Sequence, residues 1–492
     1  MRLLSCGLIL LLALAAGCQQ TLYFPATTVA APSGVDSYAA YAPRGETQPH
    51  FFYFANDQGR VDRMGYDLDR DGLPDKVVNL DEIPFDRCRH VVIILDGFSY
   101  DVVREYYDQG NLRLFHQPSR VVAPYPTLTD LCMEDMLDYI PCKGMEAQYF
   151  DREQNKVVGG ALCYLKGDNE PYVKLLDYRA DLIWDAISYV YPFQTFGHEL
   201  NDAWKVIEKR RSQEVLTYFV SSAGVSTALG KQGQIRSLQR VERFVNQLYY
   251  ETNGMVKVTI IADHGHSYTP AKRIRMEDFL ESHGWKMTEK LHNPRDVVYI
   301  RFGLETYIAM HTLSPAPLAK DVATAQGVDL VSYADCGNVM VLANREGKME
   351  SARILRKGER YKYEPIAGDP LMLSPILAGL SADADGFIDA QEMFVATATH
   401  EYPAPLERLW RAHFGIVEHP ADVLVSLDNC YYSGACFFAN SVDLQSTHGS
   451  LNYTNSVTFI MSSAGDLPPV LRTGDIPEAM TEMTGRKFPA RR

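Results

Sequence analysis

Two short apolar runs, each ending in residues able to bind a metal, constrain this chain more than any other feature. In HVVIILDGFSYD, Val91 to Leu95 is uninterrupted and mostly β-branched, and Asp96 and Gly97 follow at once. A run of this kind, bounded by a charged segment and a turn pair, predicts a strand buried on both faces. The carboxyl ends of such strands face the ligand crevice of an α/β sheet, where Asp96 can reach a metal or a phosphate. Read alone, Asp96 is equally a turn-capping residue. The stretch VTIIADHGHSYTP repeats the pattern, with Val258 to Ala262 as the strand and Asp263, His264 and His266 at its end. Carboxylate and imidazole together suit a zinc-like ion better than calcium, which prefers oxygen alone.

The N-terminus predicts export. Arg2 is followed by LLSCGLILLLALAA, a charged start and an apolar core too short to span a bilayer comfortably, as in a secretory signal. The closing LALAAGC resembles a bacterial lipobox, with Cys18 as the lipidated mature N-terminus, and Gln19 after it resembles lipoproteins sent to the outer membrane. A plain signal peptide cut nearby is the alternative. The implied membrane partner is reached through that lipid anchor, since nothing later in the chain is long and apolar enough to cross. A formal net charge of -14 argues against general nucleic-acid binding. Residues 19–48 mix Pro, Ala, Thr and Gly without periodicity, which predicts a tether with little fixed structure. In an oxidising compartment Cys132 with Cys142, or Cys430 with Cys436, are the short-loop disulfide candidates.

Two acidic loops have calcium spacing. In the 49–85 segment, Asp67, Asp69, Asp71 and Asp75 alternate around Gly72, as at the start of an EF-hand loop, although Val78 holds the twelfth position. A solvated acidic turn is the other reading. Later, Ser381, Asp383, Asp385, Phe387, Asp389 and Glu392 fall at positions 1, 3, 5, 7, 9 and 12 of an EF-hand loop with helix-forming flanks. Structural calcium is the expectation for both.

After the Asp96 strand, SYDVVREYYDQG has helical spacing and a terminal Gly. Then Pro124 and Pro126 break regular structure just ahead of Thr127 and Thr129, and LCMEDMLDYI can start a helix with Thr129 near its N-terminus. A hydroxyl there sees the positive end of the helix dipole and free backbone N–H groups, so it is a candidate nucleophile or phosphate cradle. It is also a candidate N-cap.

The order strand-Asp, PTLT before a helix, then strand-ADHG resembles the nucleotide pyrophosphatase/phosphodiesterase branch of the alkaline phosphatase superfamily. VVIILDGF is similar to its first metal-binding strand, PTLT to its PTxT nucleophile segment, KGMEAQYFD to the stretch after it, and IIADHGH to its SDHGM. TYFVSSAGVSTALG resembles its Y…DxxGHxxG segment and STHGSLNYTNSVTFIMSSAG its late HG segment. The resemblance spans about residues 86 to 470, with about 330–430 unmatched. It implies an α/β fold: an alkaline-phosphatase-like, mostly parallel central sheet flanked by helices over 86–492, with the unmatched stretch as an EF-hand-bearing insertion.

By position, the resemblance implies one metal held by Asp96, Thr129, Asp263 and His264, with Thr129 as nucleophile. A second metal would take the Asp and His of DxxGH and the late His. This chain has Ser221 and Val225 at the first two places, leaving His448, and Cys132 where the branch commonly supplies Asn. His448, His266, Lys272, Arg273 and Arg275 are candidate substitutes on the leaving-group side. The implied function is hydrolysis of a phosphate ester, a diester first, dependent on zinc or a similar divalent cation, one or two. A single-metal phosphomonoesterase, sulfatase or phosphotransferase is the alternative within enzymes, and a catalytically silent surface ligand-binding member the alternative outside them.

Overall fold

The computed structural model describes residues 26–43, 45–145, 148–160, 170–180, 184, 187–301, 303–434 and 444–490. The signal segment with Cys18, and Cys163 and Cys436, lie outside the described residues.

The run ending at Asp96 is an inner strand of a seven-stranded sheet. In chain order its elements are β1 (Arg89–Leu95), α1 (Tyr100–Asp108), β2 (Ser119–Val122), α2 (Thr129–Leu137) and β3 (Tyr178–Arg179). Then come α3 (Pro192–Lys209), β4 (Glu214–Phe219), α4 (Ser221–Glu251), β5 (Val256–Ala262), β6 (Val457–Ser462) and β7 (Val470–Arg472). The strand order is β3-β4-β1-β5-β6-β2-β7, and only β6 runs against the others. Leu95 pairs with Phe219 on one side and Ala262 on the other, so Asp96, Val220 and Asp263 leave the sheet at one level.

The apolar run is continuous because helices cover both faces. Val91, Ile93 and Leu95 pack with α1, α3 and α4, while Val92 and Ile94 meet Met133, Met136 and Leu137 of α2. The opposite side of α2 is also buried, since Leu131, with Leu128 just ahead of the helix, joins the core of a second sheet.

That second sheet has nine strands and is antiparallel except where residues 286–287 meet 296–300. It changes the reading of residues 330–430 as an insertion. Val331 pairs with Val425, and Met310 pairs with Val423, so this stretch is knit into strands that precede it.

The tether expectation is also corrected. Ala26–Val29 and Ala39–Pro43 are strands of a five-stranded antiparallel sheet that continues through residues 51–79. Alternation orders them: Ala40 and Ala42 are buried, and Tyr41 stacks on Phe51 at 4.6 Å and takes a hydrogen bond from Asn246 of α4. This sheet covers the amino ends of the central strands, away from Asp96, as shown by Lys257 at the start of β5 donating to Leu80 O at 2.7 Å.

Candidate active site

At the carboxyl end of β1 the backbone turns sharply through Gly97 (φ 68°), where a side chain would strike the His266 ring at 2.6 Å. Asp96 is buried; its N–H donates to Ser222 Oγ at 2.7 Å and its Oδ2 accepts from Tyr218 at 2.5 Å. Asp263 is fully buried, and its Oδ1 accepts the N–H groups of Gly97 at 2.9 Å and His264 at 2.8 Å. Its Oδ2 is buried with no hydrogen-bond partner.

His264 Nδ1 lies 2.9 Å from Gly265 O, an acceptor only, so the proton sits on Nδ1 and the Nε2 lone pair points inward. There Nε2 is 3.4 Å from Thr129 Oγ1 and 3.6 Å from both Asp96 Oδ1 and Asp263 Oδ2. Burial pushes His264 down to about 4, so the ring is neutral at pH 7, and pushes Asp263 up to about 6. A lone pair, two carboxylates and a hydroxyl therefore converge with no internal cation. One ligand atom from each of Asp96, Asp263 and His264 lies within 4.8 Å of the others. This donor set fits a zinc-class ion, and the orphaned Asp263 Oδ2 is the atom most in need of one.

Thr129 is the first residue of α2, and Leu128 occupies the cap position without a side-chain bond. The N-cap reading of Thr129 is thus set aside: its hydroxyl faces His264 instead. Thr127 ties this segment to the late HG pair, its Oγ1 accepting from Gly449 N–H at 2.8 Å and its carbonyl lying 2.9 Å from His448 Nδ1. The His448 ring stacks on His264 with centroids 3.9 Å apart. Burial lowers His448 to about 3. Asp96, Thr129, Asp263, His264 and His448 are thus brought together.

The DxxGH equivalent is different. Ser221 donates its hydroxyl, and its N–H at 3.1 Å, to the buried Glu199 of α3, and Val225 lies in the apolar core. Among the suggested cationic substitutes, Lys272 lies over Tyr431, Arg273 pairs with Glu277 and Arg275 with Asp278. His266 and His448 of that set belong to the cluster. Cys132 and Cys142 are both free thiols, which removes that disulfide candidate; Cys142 Sγ donates to Asp130 O instead.

Sequence reasoning missed Tyr218, Ser222 and Arg408. The first two follow the pattern β4-turn-α4 and show up only once β4 is placed beside β1. Arg408 is buried and donates to the carbonyls of Pro124, Pro403 and Leu451 and to Ser456 Oγ, pinning the loops that carry Thr127 and His448.

In the first acidic loop Asp67, Asp69 and Asp71 gather, whereas Asp75 Oδ2 turns back to accept Leu68 and Asp69 N–H. In the second, Asp383 pairs with Arg360 and Asp385 with Lys357. Asp389 caps the following helix by accepting Gln391 and Glu392 N–H, and Glu392 accepts Ser381 N–H at 3.2 Å. Ser381 contributes its backbone to that bond and Phe387 its carbonyl to Asp383 N–H.

No family model matches the sequence, and no curated protein matches it. Among solved structures, murine ectonucleotide pyrophosphatase / phosphodiesterase 5 is similar at TM-score 0.44 and 10% identity, over 82% of this chain and 97% of that one. The human ectonucleotide pyrophosphatase / phosphodiesterase 5 is similar at TM-score 0.43 and 11% identity, over 81% of this chain and 95% of that one.

Proposed function

We propose that this chain is a divalent-cation-dependent hydrolase of phosphate esters, with diesters as its first substrate class and Thr129 as its nucleophile. The observation that carries the reading is the convergence of Thr129 Oγ1 with the inward Nε2 of His264 and the carboxylates of Asp96 and Asp263. When bound, a zinc-class ion lowers the pKa of the hydroxyl beside it and draws in phosphoryl oxygen. Asp96 and Asp263 supply the charge that holds the ion, and Gly265 O fixes the His264 tautomer. Thr129 sits at the first turn of a nine-residue helix, where the positive end of the helix dipole favours an anionic phosphoryl group. Its oxygen attacks phosphorus, the P–O bond to the leaving alcohol breaks, and water then hydrolyses the threonyl ester to regenerate the hydroxyl.

The same reading places the protein outside the cytoplasm on a lipid attached at Cys18, in the outer membrane, and assigns calcium to the Asp67–Asp75 loop and to the Ser381–Glu392 loop. The basic partners of Asp383 and Asp385 make the latter the weaker site.

The replacement of two expected ligands by Ser221 and Val225 favours a second reading, a silent ligand-binding member. Hydrolysis of bis(p-nitrophenyl) phosphate by the mature protein loaded with zinc or manganese decides between them. The enzyme reading predicts turnover that is lost in Thr129→Ala; no turnover above that variant with either metal supports the silent reading.

A further inference from the structure

We propose that Tyr218 is a positioning residue for the site: its hydroxyl fixes the Asp96 carboxylate so that one oxygen of the pair faces the cation. The inference rests on the metallohydrolase reading and deepens it, since it concerns how a ligand is held and not which residues bind.

Tyr218 lies on β4 directly beside β1, in register with Ile94. It is fully buried on the α2 face of the sheet, in the cluster that holds Val92, Ile94 and Met133. A phenol in such a place needs an acceptor. The side chain reaches past the end of the neighbouring strand, where its O–H donates to Asp96 Oδ2 at 2.5 Å. That is the length of a charge-assisted bond between a hydroxyl and a carboxylate.

The backbone of Asp96 is held separately, by Ser222 Oγ, which accepts the Asp96 N–H at 2.7 Å. Backbone bonds do not set the rotation of the carboxylate about its last bond, a broad and roughly two-fold torsion. Tyr218 removes that freedom. With Oδ2 turned to the phenol, Oδ1 is the oxygen on the His264 side, 3.6 Å from Nε2. A carboxylate so held offers a cation one oxygen, which keeps the coordination number low and leaves room for Thr129 and substrate oxygen. Without the phenol both oxygens are able to turn to the ion.

Cobalt in place of zinc tests this without reference to turnover, because its visible absorption weakens as the coordination number rises. Tyr218→Phe removes only the hydroxyl and keeps the ring in the core. It should weaken zinc by about 10–100-fold in competition with a chromophoric chelator, and lower the visible absorption of the cobalt protein. Tyr249→Phe is the structural control: it loses a buried hydroxyl of the same kind, which donates to Ser463 Oγ at 2.7 Å beside Val258, and should leave both readouts at wild-type values. A folded Tyr218→Phe with the wild-type cobalt spectrum overturns the inference, whatever its zinc affinity, and leaves Thr129 and its ion standing. A wild type that binds neither zinc nor cobalt overturns the metallohydrolase reading and this inference with it.

Discussion

The carboxylate of Asp263 has one oxygen held by two backbone amides and the other buried without a partner. An orphaned buried acceptor costs on the order of 1–3 kcal/mol, which a cation removes. Zinc at a hundred-fold excess over its dissociation constant should therefore raise unfolding free energy by about 2.7 kcal/mol, and Asp263→Asn should abolish most of that gain in urea titrations. Arg408 makes a second prediction: Arg408→Met leaves the carbonyls of Pro124, Pro403 and Leu451 without their donor and should cost about 3 kcal/mol in the same assay. The two residues differ in legibility. Asp263 could be read because it ends a β-branched run, a local signal. Arg408 lies in LERLWRAHF, where nothing local separates it from a solvated helix charge, and its role depends on the carbonyls of Pro124 and Leu451 and the hydroxyl of Ser456, all remote in sequence.

The strands β1 and β5 were legible as elements because helices on both faces make their whole length apolar. The strands at residues 26–29 and 39–43 were not, because small residues and prolines resemble a linker until Tyr41 meets Phe51 and Asn246. On α2, burial raises Glu134 from 4.5 to about 7, partly offset by the Cys142 N–H that it accepts at 2.8 Å. A carboxyl that holds its proton more tightly when folded stabilises the fold fully below the unfolded pKa of 4.5, and that stability is lost as pH rises through about 7. After allowance for partial solvent screening the effect is about 2 kcal/mol. Glu134→Gln should show a flatter loss of stability between pH 5 and pH 8 than the wild type, read from urea midpoints; parallel profiles would contradict the assignment.

Across the whole molecule, two features lie at opposite ends of the central sheet: the Asp–His cluster at the carboxyl ends of β1 and β5, the N-terminal sheet at their amino ends. Phe51→Ala, which removes a ring packed on Tyr41, Tyr53 and Tyr250, should cost about 3–5 kcal/mol yet leave zinc affinity unchanged. The nine-stranded sheet was the large feature not legible beforehand, since its strands pair residues about a hundred positions apart, such as Val331 with Val425, and local pattern carries no register. The central claim, that Thr129 attacks phosphorus, is tested most directly by acid-quenching the zinc-loaded protein during turnover of a phosphate diester and weighing the peptide that contains Thr129. The account predicts a covalent phosphoryl adduct on Thr129 that is absent from Thr129→Ala. Turnover at full rate with no adduct on Thr129, or turnover retained in Thr129→Ala, would contradict it.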